Sequence, residues 1–324
     1  MAGRSDGSQE GGAWMSLETT TDGLLDEAFN ACSADVKHRA RNFWFGLRLL
    51  PPDRFESLCA VYAWMRRADD LADGDESLNP GDRRRQIELY RARTRGLFEN
   101  DSIEEPDSDE HYIFRAMREV LHRHELQERD FELVIEGQLS DLEPCRMPDR
   151  DELLVYCDQV ASTVGRICAT IWGASDPESL RLATERGYSL QLTNILRDIR
   201  EDLGRGRVYL PADELADAGL DIEALVAWRD SERCAAFIKE QVERARTHYE
   251  ASLGLESRLD ESCRSTSWAM TEIYRSLLDK IDRRPVVVSL GQRVSLSSLR
   301  KFAIAWGARR RMRAGASLHR EGKR

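Results

Sequence analysis

The stretch from Gln191 to Pro211, QLTNILRDIREDLGRGRVYLP, restricts what this chain can fold into more than any other. Asn194, Asp198 and Asp202 are spaced four residues apart. In an α-helix that spacing stacks them on one face, drifting only slightly over about 12 Å of rise. Leu192, Ile195, Leu196, Ile199 and Leu203 take the other faces, so a ladder of oxygen ligands borders an apolar environment. Gly204 and Gly206 then end the helix.

A second acidic set lies in Ala63–Gly74, AWMRRADDLADG, where Asp69 and Asp73 are again four apart with Asp70 beside them. Val61, Tyr62, Trp64, Met65 and Leu71 mark this segment as largely buried. Ionised carboxylates facing one low-dielectric space repel and are costly to desolvate, so the two ladders belong together only with a counter-charge between them. Oxygen ligands without His or Cys suit a hard ion, Mg²⁺ first and Mn²⁺ second. The metal candidates are therefore Asp69, Asp73, Asn194, Asp198 and Asp202, with Arg66 sharing the face of Asp69 three residues on. Alone, the first acidic set is weak, because acidic pairs are common on solvated helix faces; the second set raises its weight.

The chain has 324 residues, 41% hydrophobic and 33% charged, enough for one large helical domain. A net charge of −10 argues against nucleic acid as a partner. No apolar run reaches the eighteen residues needed to span a bilayer, and the amino terminus lacks the zones of a secretory signal, so a cytoplasmic protein is expected. Seven cysteines without a CxxC pair read as reduced packing residues. His122 and His124 are only two apart and no HExxH occurs, which argues against a zinc site.

In chain order, residues 1–28 read as a tail, 29–308 as the helical domain and 309–324 as a basic tail. A first helix is expected from about Cys32 to Leu50, closed by Pro51 and Pro52, and Asp53 is placed to cap the next. Further helices are expected over 82–98, 111–124, 128–143 and 149–173, with Asp141 either behind the site or on the surface. Ala161, Ser162, Thr163 and Gly165 form a thin face for a helix or an apolar substrate. Arg197 points about a quarter-turn from the metal face, towards phosphate oxygens. Ile238, Val242, Ala245 and Tyr249 repeat at helical spacing as core, and a last helix is expected over about Ser297 to Trp306.

RRADDLAD followed about a hundred residues later by QLTNILRDIREDLGRGRVYLP resembles the squalene/phytoene synthase family, from about Asp35 to about Lys301. The resemblance implies an all-α fold of the isoprenoid synthase type, its two aspartate-rich helices facing across a central cavity. It implies Mg²⁺-dependent head-to-head joining of two prenyl diphosphates, geranylgeranyl or farnesyl, through a cyclopropylcarbinyl diphosphate. Asp69 and Asp73 would serve one diphosphate and Asn194, Asp198 and Asp202 the other, with Arg39, Arg41, Asn42, Tyr62, Arg66, Gln191, Arg197, Tyr274 and Arg293 around them. The family usually has hydroxyl residues where Ala40 and Asn42 stand, and glycine where Ser162 stands, so Ser162 is expected to reshape the tunnel. Tyr156 takes the place of a tyrosine near the reacting carbons.

No GxGxxG segment follows a strand, which tilts the product towards a hydride-free outcome while leaving NADPH bound some other way open. Chain-elongating prenyltransferases and terpene cyclases also pair acidic helices with Mg²⁺, but RGRVYLP fits them poorly. A non-catalytic helical paralogue would have lost ligands that are present here. The basic tail offers a peripheral contact with anionic lipid.

Overall fold

A computed structural model describes residues 11–39, 44, 46–73, 79–99, 110–142, 144–290 and 293–321; the side chains of 11–22, 73 and 312–321 lie outside that description. Among the described residues every extended element is helical, and the only β feature is an isolated parallel bridge between Arg146 and Val208. The helices are α1 (Gly11–Arg39), α2 (Pro52–Asp73), α3 (Pro80–Phe98), α4 (His111–Arg123), α5 (Glu128–Ser140), α6 (Arg150–Cys157) and α7 (Thr163–Ile171). After them come α8 (Pro177–Gly204), α9 (Ala212–Asp217), α10 (Ile222–Val226), α11 (Ser231–Ala251), α12 (Leu255–Arg258), α13 (Glu261–Arg283) and α14 (Ser298–Glu321).

Local chemistry sets most of the starts. Asn79, Asp149 and Asp176 each accept a hydrogen bond from the backbone N–H three residues on, and Pro80 and Pro177 open α3 and α8, where a missing N–H costs nothing. Pro52 likewise opens α2, so Asp53 lies in its first turn instead of capping it. The helix expected from about Cys32 spans Gly11–Arg39, and the last helix runs well beyond Trp306, so helical structure reaches into both stretches read as tails. The helix expected over 149–173 is continuous but contains a π-helical turn, Asp158–Ser162, between α6 and α7.

Among the described residues two large apolar cores form, with a small third cluster under α14. One gathers Cys32, Val36, Cys59, Trp64, Tyr90 and Phe131 from α1 to α5, with Trp64 edge-on to Phe131 at 4.8 Å between centroids. The other gathers Leu196, Ile238, Val242, Ala245, Tyr249 and Ile281 from α8, α11 and α13. All seven cysteines are free thiols, as expected. No described helix is long and apolar enough to cross a membrane.

Candidate active site

A cavity of 190 Å³ opens at the seam between the two cores. Met65 of α2, Val164 and Cys168 of α7 and Met270 of α13 reach it from the first core; Val160, Leu190 and Tyr274 reach it from the second. Gln191 and Asn194 of α8 stand on the same wall, so the two aspartate-bearing helices flank one mostly apolar space. A smaller cavity of 90 Å³, lined by Arg197, Ile273 and Leu277, shares Met270 and Tyr274 with it.

The π turn explains how the walls close. Gly137 faces it: a Cβ there would come within 2.6 Å of Val160 Cγ1, and Val160 and Ala161 of the turn line the cavity. On the other side α7 and α8 touch backbone to backbone. A Cβ on Gly187 would lie 2.4 Å from Ser162 Cα, and one on Gly165 would lie 2.7 Å from the Ala183 carbonyl oxygen. The small-residue face is thus real, but it is spent mainly on a neighbouring helix. Ser162 is fully buried there and donates to the Thr184 carbonyl at 2.9 Å, so its hydroxyl faces α8 and is not on the cavity wall.

The central ladder is electrostatically divided. Asp198 accepts two hydrogen bonds from Arg197, at 2.8 and 2.5 Å, and two from Arg293, at 2.8 and 2.9 Å. Burial would raise its carboxyl, but these donors outweigh it and hold Asp198 below the usual carboxylate range. One turn on, Asp202 is pushed up to about 7 by burial first and then by Asp198 and Glu201. Arg197 therefore does not swing away from the metal face as its position on the helix suggests; it folds back onto its neighbour. Asn194 donates to Gln191 Oε1 at 3.2 Å, while its own buried Oδ1 has no partner.

On α2, Arg66 is paired with Asp69 and, at 2.9 Å, with Asp70; Arg39 reaches Asp70 at 2.6 Å. Tyr62 is half-buried against the first core and is not on the cavity wall. Arg41 and Asn42 lie outside the described residues, as does the side chain of Asp73. Among the described residues no three His, Cys, Asp or Glu side chains converge on one point. The donors nonetheless fit a hard cation: a buried amide oxygen stands unpartnered beside the cavity, on the same helix face as Asp198, which two guanidiniums hold, and Asp202, whose carboxyl burial pushes up to about 7.

Tyr156 is buried, but its hydroxyl donates to Asp141 at 3.2 Å and it is not on the cavity wall. Burial and then Asp141 drive it well above the ordinary phenol range, so it stays protonated. Tyr209 stacks on it at 4.6 Å and donates to the other Asp141 oxygen at 2.9 Å, while Arg207 donates to the Asp141 carbonyl at 2.7 Å. Asp141, itself partly exposed, is thus an anchor for two buried tyrosines, and Tyr209, not singled out from the sequence, lay in plain view in RGRVYLP.

The family profile for squalene/phytoene synthase matches residues 36–300. The chain is 34% identical to the phytoene synthase of Mycobacterium tuberculosis over 287 residues, 88% of this chain and 91% of that one. It is also 34% identical over 268 residues to the chloroplastic phytoene synthase of Narcissus pseudonarcissus, covering 80% of this chain and 60% of the narcissus enzyme. A crystal structure of a dehydrosqualene synthase matches in fold with a TM-score of 0.77, over 90% of this chain and 98% of that one, at 24% identity. An all-helical chain with a seam cavity between two acidic helices, matched by one profile over most of its length, belongs to the squalene/phytoene synthase family of prenyltransferases.

Proposed function

We propose that this prenyltransferase takes geranylgeranyl diphosphate as both substrates, uses Mg²⁺, and releases phytoene. Head-to-head joining of two prenyl diphosphates is the reaction of the family, which normally uses a divalent metal. The phytoene outcome draws support from relatives named phytoene synthase at 34% identity. The observation that carries the reading is the unpartnered buried Oδ1 of Asn194 beside an apolar cavity, one turn before Asp198 on the same helix face.

Asn194, Asp198 and Asp202 would hold the cation for one diphosphate, and Asp69 and Asp73 that for the other. The bound ion would take up charge on the diphosphate oxygens as the carbon–oxygen bond breaks. Arg197 and Arg293, once displaced from Asp198, have bidentate forks free for those oxygens. Arg66 and Arg39 on the other helix stand in the same relation to Asp69 and Asp70. Val160, Val164, Leu190 and Met270 shield the carbocation from water, and Tyr274 presents an aromatic face on the same wall. Gln191 orients Asn194 through its amide. Tyr156 acts from behind, holding the π turn that carries Val160. The two chains couple through a cyclopropylcarbinyl diphosphate, which ionises in turn, and the last cation loses a proton.

The test is a product mass spectrum after incubation with Mg²⁺ and either geranylgeranyl or farnesyl diphosphate, with and without NADPH. Phytoene from the longer substrate, unchanged by NADPH, is expected. A shorter hydrocarbon formed preferentially, an NADPH-dependent gain of hydrogen, or a product still carrying diphosphate would overturn it.

A further inference from the structure

A cavity of 540 Å³ lies apart from the apolar one. It is an outer cleft between α13, the 3₁₀ turn Pro285–Ser289 and the start of α14, lined by Lys280, Arg283, Arg284 and Arg300, with Asp279 on its wall and Glu272 3.7 Å from Arg300. Asp279 is itself shared with Arg246.

Beside this cleft, α14 packs on α13 through Ile304 and Ala308, which are buried against Trp268, Ala269 and Ile273. Its opposite side carries Leu299, Phe302 and Trp306, exposed by 83, 67 and 55%. Spacings of three and four residues put these three side chains on one stripe, and the Phe302 and Trp306 rings lie alongside each other at 6.5 Å. Large apolar side chains grouped in this way mark a contact surface. Exposed Lys301, Arg309 and Arg310 flank the stripe, and Arg311 lies over the Trp268 ring.

Charge is segregated to match. Along the sequence, residues 275–324 contain 14 of the 48 Lys and Arg but only 3 of the 58 Asp and Glu, so the rest of the chain is strongly acidic; Arg293 of that stretch belongs to the candidate site, and the side chains of Arg313, Arg320, Lys323 and Arg324 lie outside the described ones. We infer that this face, the Leu299/Phe302/Trp306 stripe together with the Lys280/Arg283/Arg284/Arg300 cleft, docks on a bilayer containing anionic phospholipid, the rings entering the interface and the cleft receiving phosphate headgroups. Aromatic residues combined with basic ones are the chemistry of interfacial helices. The acidic remainder is repelled by an anionic surface, which allows approach only through this face. A second copy of the chain is the poorer occupant, because it would set two cationic faces against each other. The contact is peripheral, since no described helix can cross a bilayer.

The full-length protein is tested by co-sedimentation with phosphatidylcholine vesicles with and without phosphatidylglycerol. Binding is expected to the mixed vesicles and to fall by about tenfold or more in pure phosphatidylcholine. Phe302→Ser with Trp306→Ser should lower partitioning about tenfold, and Arg283→Gln with Arg284→Gln should do so by a similar factor. Neither pair lies on the candidate site, so turnover of detergent-dispersed substrate should be unchanged; unaltered melting excludes misfolding as the cause. Equal binding to both vesicle types, or undiminished binding by both double variants, would overturn the inference. So would displacement of the protein from mixed vesicles by inorganic diphosphate at low millimolar concentration, which would assign the cleft to a soluble anion. A dimer that the Phe302/Trp306 variant dissociates, with no vesicle binding, would assign the face to self-association and equally overturn it.

Discussion

Arg293 grips Asp198 from 95 residues further along the chain, Nε to Oδ1 at 2.8 Å and Nη2 to Oδ2 at 2.9 Å. Arg197 occupies the same two oxygens, so four charge-assisted donors converge on one carboxylate. A cation can bind Asp198 only if at least one guanidinium leaves. Arg293 is the readier to go, being 58% exposed against 14% for Arg197. On the proposed reading, the guanidinium released in this way would be at hand for a diphosphate arriving with the ion.

Asp198→Asn keeps one oxygen for the two arginines but sets an amide NH2 against two guanidinium donors, so its cost in stability is about 1–3 kcal/mol. Its cost in turnover is expected to be on the order of 10²–10³-fold, as for lost transition-state charge stabilisation. Far-UV circular dichroism should be unchanged. Normal activity in this variant would reject Asp198 as a ligand. If Arg293 holds diphosphate equally in the bound and the transition state, as proposed, Arg293→Gln should instead raise KM more than it lowers kcat.

Asp202 makes the metal-free protein sensitive to pH. Its carboxyl is raised to about 7, so between about pH 4 and 7 the native state binds more protons than the unfolded chain. The stability this supplies is complete below about pH 4 and is lost as pH rises to about 7. Denaturant midpoints of chelator-treated wild type should therefore fall relative to Asp202→Asn across that window and run parallel above it. A difference between the two that does not vary with pH rules out the shift.

The Tyr156–Asp141–Tyr209 anchor is expected to behave as a unit. Tyr209→Phe or Tyr156→Phe removes one hydrogen bond, at a cost of about 1 kcal/mol. Asp141→Ala strands two buried hydroxyls and should cost about 3 kcal/mol, measured by urea unfolding. The Tyr156→Phe and Asp141→Ala losses should be less than additive in the double variant; strict additivity would deny the coupling.

Gly187→Ala brings its methyl within 2.4 Å of Ser162 Cα, which is backbone and cannot swing aside. A loss of about 1–3 kcal/mol or more is expected. Gly204→Ala, where nothing lies within 4 Å, should be neutral or stabilising by about 0.4–1 kcal/mol. Thermal melts of the two variants compare them directly, and equal behaviour would show that α7 and α8 can part without cost.

The fold class was legible because helical spacing is a local property. Apolar positions repeating every three or four residues between Pro, Gly and Asp punctuation determine where helices lie, and Ile238, Val242, Ala245 and Tyr249 are all buried as that rule requires. The same spacing set Asn194, Asp198 and Asp202 on one face and placed Gln191 and Asn194 where the cavity wall passes. Spacing does not say which way a long flexible side chain turns. Arg197 was placed a quarter-turn from the metal face, towards phosphate oxygens, and its guanidinium bonds the neighbouring buried carboxylate of Asp198.

What the sequence alone determined was an all-helical chain with two acidic ladders, since each ladder needs only its own helix. Tertiary structure decided what those ladders meet. The facing of Gly137 to Val160, the junction of Asp141 with Tyr156 and Tyr209, and the clasp of Arg293 on Asp198 all join residues on different elements. Such contacts arise from how helices pack, and a pattern of period 3.6 along one helix carries no record of the helix packed against it.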